Sequence, residues 1–405
     1  MNVSSKKLVI VGGGPAGMMA GLLFARAGVQ TLVLEKHGDF LRDFRGDTVH
    51  PSTLELMREL GILDAFLARP HDKVPDIKAQ VGGREMPVAD FTRLWVESRF
   101  VAMMPQWEFL DFLSGQAQRY SDFSLQMNAQ AQGLRFDASG RVTGVVLADG
   151  SEIDADLVIA ADGRRSVLRA AAALPLEDLG APIDVLWFRL PKARTDDNET
   201  VGIFASGRIL VFIDRGEYWQ AAYVLTKGTA EAVRSDGIEQ FRSEIARLAP
   251  FAAQAVSALT DWDQVKLLSV ALDRLTRWHR PGLLAIGDAA HAMSPVGGVG
   301  INLAIQDAVA AANRIAGPMA RGYPVDALLA GVQKRRMLPT RIIQAGQRIA
   351  HRAVLAPLLS GGAQLSGPPL PLRMLSRFPV LQVIPAWLIG LGFRREHIRS
   401  PALLP

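Results

Sequence analysis

The chain has 405 residues, 49% hydrophobic and 21% charged, with a formal net charge of +5. That composition fits two or three domains, or one large interleaved unit, with a sizeable core, and it excludes a disordered chain. There is no cysteine, which excludes disulfides, thiolate catalysis and cysteine-based metal sites.

Residues 1–7 have no apolar signal region, so a cytoplasmic protein is expected. Residues 8–11 then read as a short buried strand. Gly12-x-Gly14-x-x-Gly17 opens an apolar helix that runs to Gly28, and Leu32-Val33-Leu34-Glu35 forms the next strand. This is the dinucleotide fingerprint. Gly12 permits the tight turn, Gly14 the close approach of a pyrophosphate, and Gly17 close packing of helix on strand. The helix start presents free N–H groups to phosphates. Glu35 is placed to accept two hydroxyls of an adenosine ribose.

Ser52-x-x-Glu55 reads as a capping box that starts a helix near Thr53, stopped by Gly61. Residues 77–81, Gly82-Gly83 and residues 84–88 form a predicted hairpin. Residues 106–120 are predicted helical. Residues 134–136 and 142–147 flank a turn, and residues 155–160 form a buried strand. From residue 183 to 225 the pattern is of strands: 185–190, 202–204, 209–213 and 218–224. A helix over 238–248, a buried strand over 283–286 and a long helix over 300–315 follow. Beyond Leu338 the chain reads as helical with proline breaks.

From Lys334 onward there are eleven Lys and Arg against the single acid Glu396. The basic tail suits a solvated helical face, cofactor phosphates, an acidic substrate or an anionic membrane surface. Nucleic acid is not expected, because no recognition motif accompanies the charge. Neither uncharged stretch of the tail offers a spanning helix, since proline and glycine interrupt both. Peripheral membrane contact and an oligomer both stay open.

Two further motifs end buried strands. Residues 157–160 lead into Ala161-Asp162-Gly163-Arg164-Arg165-Ser166. Residues 283–286 lead into Gly287-Asp288-Ala289-Ala290-His291, followed by Pro295-Val296-Gly297-Gly298-Val299-Gly300-Ile301-Asn302. A carboxylate at a strand's C-terminal end stands where open α/β sheets bind ligands. The second motif's glycines let backbone N–H groups approach a planar ligand.

Together the three motifs resemble the class A flavoprotein monooxygenases, the para-hydroxybenzoate hydroxylase-like family. The resemblance runs from Leu8 to about Ala316 and includes the run from Gly390 to His397. It implies an α/β fold: a Rossmann-like FAD-binding domain (1–75, 100–180 and 270–338) interleaved with a mainly antiparallel substrate domain (76–99 and 181–269), then a helical C-terminal region (339–405). It implies that Gly12, Gly14, Pro15, Ala16, Gly17, Glu35 and Lys36 hold the ADP half of FAD. Asp288 beside Gly287 would bond the ribityl chain. Pro295 and the backbone of Gly298, Val299, Gly300, Ile301 and Asn302 would contact the isoalloxazine. Arg45, Gln106 and Asp162-Gly163 match further cofactor contacts. Val299 stands where the family usually has glutamine. The tail is too short for the thioredoxin-like domain of some relatives.

The implied activity is hydroxylation of an aromatic or other electron-rich hydrophobic small molecule with NADPH or NADH and oxygen. FAD is reduced by hydride transfer, oxygen adds at flavin C4a, and one of its atoms passes to the ring. A second GxGxxG is absent, so the nicotinamide has no domain of its own. Arg45, His50 and Pro295 are the candidates nearest the reacting face. Trp187, Arg189, Phe204, Phe212 and Tyr223, with Trp219, are the substrate candidates, and alternation puts about half of them on each face. No metal is expected. An oxygen-independent reductase or cyclase on the same fold, and a non-catalytic membrane-docked FAD-binding protein, are the alternatives.

Overall fold

Leu8, Val9 and Ile10 are wholly buried because their strand, Lys7–Val11, runs through the middle of a sheet covered on both faces. A computed structural model of the chain describes residues 6–41, 48–81, 84–192, 200–205, 207–355, 359 and 370–403. Its first sheet has the order His279–Arg280, Leu283–Ala285, Leu157–Ala160, Lys7–Val11, Gln30–Leu34 and Phe123–Gln126. Four of its pairings are parallel and the His279–Arg280 edge is antiparallel. All three sequence motifs therefore leave adjacent parallel strands at the same end of the sheet.

Helix α1 (Pro15–Arg26) is apolar nearly all round and buries all but its two ends. The next long helix, α2 (Pro51–Glu59), is not started by the Ser52–Glu55 box. Pro51 supplies the first helical residue, His50 is the N-cap, and no side chain bonds the free N–H groups. Ser52 and Glu55 are buried instead, and Glu55 accepts from Arg58 at 3.2 Å and from the Glu97 N–H at 3.2 Å. Helix α3 (Gln106–Ala117) packs on α1.

The second main sheet has seven strands in the order Lys266–Ser269, Ile183–Pro191, Tyr218–Thr226, Arg208–Asp214, Val201–Ala205, Asp76–Val81 and Arg84–Asp90. Only the contact between Val201–Ala205 and Asp76–Val81 is parallel. The predicted hairpin thus joins this sheet, although Gly82 and Gly83 lie outside the described residues. Helix α4 (Ile238–Leu248) covers one face through Phe241 and Ile245. The other face lines a cavity. The fold is thus α/β, with a parallel dinucleotide sheet, a mainly antiparallel second sheet and a helical C-terminal region.

Helix α5 (Gly300–Ala320) lies against α1, and α6 (Asp326–Ala350) lies against α5. Pro339, expected at the start of a separate tail, sits buried inside α6, which runs straight through it. Helix α7 (Val383–Gly390) packs on the body, with Ala386 and Leu391 buried against Phe91, Leu94, Val101 and Met103, and the segment after it stays attached through Ile398 and Glu396. No helix among the described residues is long and apolar enough to cross a membrane.

One ionic cluster ties these layers. Asp307 of α5 is fully buried, with Arg336 Nε of α6 at 2.9 Å and His291 Nε2 at 2.5 Å. Its Oδ2 also accepts the Gly287 N–H at 3.1 Å. Burial would push this carboxyl up, but His291 and Arg336 hold it below the usual carboxylate range. Removing one member leaves a buried charge unpaired. Arg336→Met should therefore destabilise the fold by about 3–5 kcal/mol, and Arg336→Met with Asp307→Leu by markedly less. Urea midpoints of the single and double variants check this.

Candidate active site

A cavity of about 980 Å³ opens between the two sheets. One end is the turn after Lys7–Val11. Gly12 has φ +106°, and a Cβ there would lie 2.3 Å from the Ala161 carbonyl oxygen. A Cβ on Gly17 would lie 1.9 Å from the Gly12 oxygen, so Gly17 serves packing and does not line the cavity. Around Gly14 there is open space: no atom lies within 4 Å of an added Cβ. Gly14 is the N-cap of α1, and no side chain closes the helix start.

Glu35 follows the strand Gln30–Leu34. Its Oε2 accepts the Gly13 N–H at 2.9 Å and its Oε1 the His37 N–H at 3.1 Å. These bonds fix the carboxylate at the cavity edge. Pro15, Ala16, Lys36, Gln106, Asp162 and Gly163 line the same end. Asp162 is turned back into its own loop, accepting from Ser166 Oγ at 2.5 Å and the Leu168 N–H at 3.2 Å. Burial raises its pKa above the usual carboxylate value despite these bonds. Asp288 lines the cavity with its carboxylate 3.6 Å from Arg164 Nε. Gly287 is buried behind it, with φ +58°, where a Cβ would crowd Ala16 at 3.0 Å.

The glycine-rich loop brings Pro295, Gly298, Gly300 and Ile301 to the cavity. Val299 and Asn302 face away from it. Val299 is the N-cap of α5, again with no side-chain cap. The Asn302 side chain is a fastener: Oδ1 accepts the His50 N–H at 2.9 Å and Thr53 Oγ at 2.7 Å, and Nδ2 donates to the Thr48 carbonyl at 3.2 Å. Thr48 Oγ1 in turn donates to the Gly298 carbonyl at 3.0 Å. Arg45 lies outside the described residues.

His50 lines the cavity and is buried. Its Nδ1 donates to the Ile389 carbonyl at 2.7 Å, so Nε2 is the acceptor nitrogen. Burial lowers its pKa to about 4, against the opposing pull of the Ile389 bond.

Strand alternation decides the substrate candidates. Trp187 and Phe204 line the cavity with Ile183, Val185, Val211 and Val224. Phe212, Trp219 and Tyr223 occupy the opposite face and are core. Phe212 meets Phe251 at 5.0 Å, and Tyr223 meets Phe241 at 5.2 Å while its hydroxyl donates to Glu244 at 2.7 Å. Arg189 is exposed beyond the cavity, its guanidinium 4.9 Å from the Tyr218 ring centre.

Sequence reasoning missed the buried polar stripe of α6. Gln344 donates to the Asp273 carbonyl at 2.7 Å, and Gln347 to the Ser294 and Val296 carbonyls at 2.9 and 3.0 Å. Arg336, Thr340, Gln344, Gln347 and His351 recur at helical spacing, but polar residues at that spacing ordinarily mark a solvent face.

The family model described as an FAD binding domain matches residues 6–345. The chain belongs to this family of FAD-dependent, aromatic hydroxylase-like monooxygenases. It is 31% identical over 398 residues to 6-methylpretetramide 4-monooxygenase of Streptomyces rimosus, covering 96% of this chain and 93% of the relative. It is 24% identical over 327 residues to dialkyldecalin synthase of Streptomyces rugosporus, covering 75% and 64%. Its fold is similar to a crystal structure of a probable FAD-dependent monooxygenase from Pseudomonas aeruginosa. The TM-score is 0.73 at 20% identity, with 88% of this chain and 98% of that one covered.

The residues present fit FAD. The open space at Gly14, the uncapped start of α1 and the Glu35 carboxylate suit a dinucleotide with a ribose. The uncapped start of α5 suits a ring edge that gains negative charge. The protein is accordingly an FAD enzyme that uses NAD(P)H as co-substrate.

Two outcomes follow. Gly14→Val would fill the open space, and Asp288→Ala would remove an acceptor. Each should weaken FAD binding to the apoprotein at least tenfold, about 1.4 kcal/mol, in a flavin-fluorescence titration. For His50, the unfolded state binds more protons than the folded state between pH 6.5 and about 4. Its contribution to stability is full above pH 6.5 and is lost as pH falls toward 4. His50→Gln should flatten that limb of the urea-midpoint profile relative to the native protein.

Proposed function

We propose that this chain hydroxylates a planar, multi-ring aromatic molecule, using FAD, NAD(P)H and oxygen. One observation carries the reading: a single cavity runs from the Gly12–Gly14 turn to the apolar face bearing Trp187 and Phe204. The name of the Streptomyces rimosus relative, which aligns nearly end to end, supports a multi-ring substrate. In this reading the parallel sheet and its loops form a cofactor layer and the seven-stranded sheet a substrate layer. Use of NAD(P)H suits a cytoplasmic enzyme.

Gly12, Gly14, Pro15, Ala16, Glu35, Lys36 and Gln106 would hold the ADP half, and Asp288 the ribityl chain. Gly298, Gly300 and Ile301 would meet the ring system through their backbone, and Pro295 would border the reacting side. Bound FAD supplies the oxygen-activating chemistry. The chain's contribution is electrostatic and steric. Free N–H groups at the start of α5 present a positive field to an anionic ring edge. The walls of Ile183, Val185, Val211 and Val224 exclude water from the reacting side. His50 Nε2 offers a neutral acceptor to a substrate hydroxyl. With a pKa near 4 it orients that hydroxyl and is too weak to remove its proton.

The similarity to dialkyldecalin synthase favours one second reading, a cyclisation on the same fold that needs no oxygen. Purified protein should be yellow and release FAD on denaturation. NAD(P)H and oxygen should disappear together, faster with a multi-ring phenol than without. Trp187→Ala should raise KM for that phenol several-fold while FAD affinity is kept. Product formation under anaerobic conditions would favour the cyclase reading.

A further inference from the structure

Behind the start of α5 lies a second, small and partly open space of about 20 Å³. It is bordered by α5, α6 and the segment after α7. Its polar lining is mostly donors. Gln306 is 4% exposed; its Oε1 accepts the Glu396 N–H, which fixes the amide's orientation, and its Nε2 has no partner. Arg395 Nη1 is buried and has no partner, and Arg395 has no carboxylate partner among the described residues. Ser52, Asn302 and Arg336 complete the polar lining, and the Asn302 amide is already bonded to His50, Thr53 and Thr48.

We propose that this space binds one small monovalent anion of halide type, chloride being the physiological choice. The charges around it leave a positive excess. Asp307 is held by Arg336 and His291, and Glu396 by Arg335 at 2.5 Å, with Arg336 Nη1 3.6 Å away. Three arginines thus face two carboxylates, and Arg395 is the cation left over. A buried guanidinium nitrogen and a buried amide nitrogen without acceptors are each costly. A water molecule would meet both N–H groups but leave the charge uncompensated. A metal cation is repelled by the same donors. The small volume favours one particle little larger than water over phosphate or sulfate.

The site would lock the C-terminal segment onto the body. Ile389, whose carbonyl holds His50, lines this space as well as the large cavity.

The test uses the FAD-loaded protein. Chloride-35 NMR line widths are followed during titration with sodium chloride, with gluconate keeping ionic strength constant. Native protein should give saturable excess broadening that bromide displaces. Arg395→Gln, which keeps a neutral donor, should lower the apparent affinity at least tenfold while FAD stays bound. Crystals soaked in bromide should show an anomalous peak between Gln306 Nε2 and Arg395 Nη1. Water alone at that position in the bromide crystals, or unchanged broadening in an FAD-loaded Arg395→Gln, overturns the proposal.

Discussion

The buried carboxylate of Asp307 is the interaction on which the cavity's floor depends. Both of its oxygens are committed: Oδ1 to Arg336, and Oδ2 to His291 and to the backbone of Gly287. A buried ion pair of this kind adds little net stability over an apolar packing, because desolvation offsets the attraction. Its effect is on geometry. Gly287 can donate to only one place, so the turn carrying Asp288 has one position relative to α5. Arg336 then sets the register of α6. The rest of that helix's buried stripe follows from the register, with Gln344 about two turns and Gln347 about three turns further on. Gln347 holds Ser294 and Val296 on either side of Pro295. The Pro295 loop at the cavity is therefore held by α6, a helix that does not itself line the cavity.

The second constraint is the two-residue period of the seven-stranded sheet. Trp187 sits between Leu186 and Phe188, and those neighbours belong to the core under α4. A slip of one residue would exchange the cavity wall with that core. Nine consecutive pairs between Ile183–Pro191 and Tyr218–Thr226 resist such a slip.

Much of the glycine-turn end of the cavity was legible in the sequence because its motifs are local. A glycine turn, the strand before it and the acid after it are readable within about thirty residues, and each has one structural use. The cavity-facing side of the seven-stranded sheet was half legible. Aromatic residues marked the strands, but which face each occupies depends on register, and Phe212 and Tyr223 fell on the core side. Contacts that join distant segments were not legible. Nothing near Asn302 announces that it holds His50, 252 positions earlier. Asp307 did leave a trace: it is the lone acid in a mostly apolar helix, where an unpaired carboxylate would be untenable.

The basic tail takes a different meaning once its arginines are placed. Eleven Lys and Arg against one acid suggest a charged outer face. Arg336 is nearly fully buried, and its charge is balanced by Asp307 in the preceding helix. Arg335 is bonded to Glu396, the tail's own acid. Charge counted along the chain therefore overstates the charge the tail shows to solvent. The described tail is fixed on the body by apolar contact as well, through Ala386 and Leu391 against Phe91 and Leu94. Its last helix places the Ile389 carbonyl on His50, so the tail forms part of the cavity wall. A tail joined to the site in this way is bound to the fold's stability. Loss of α7 would expose the Phe91 cluster and remove the Ile389 carbonyl to which the His50 ring donates.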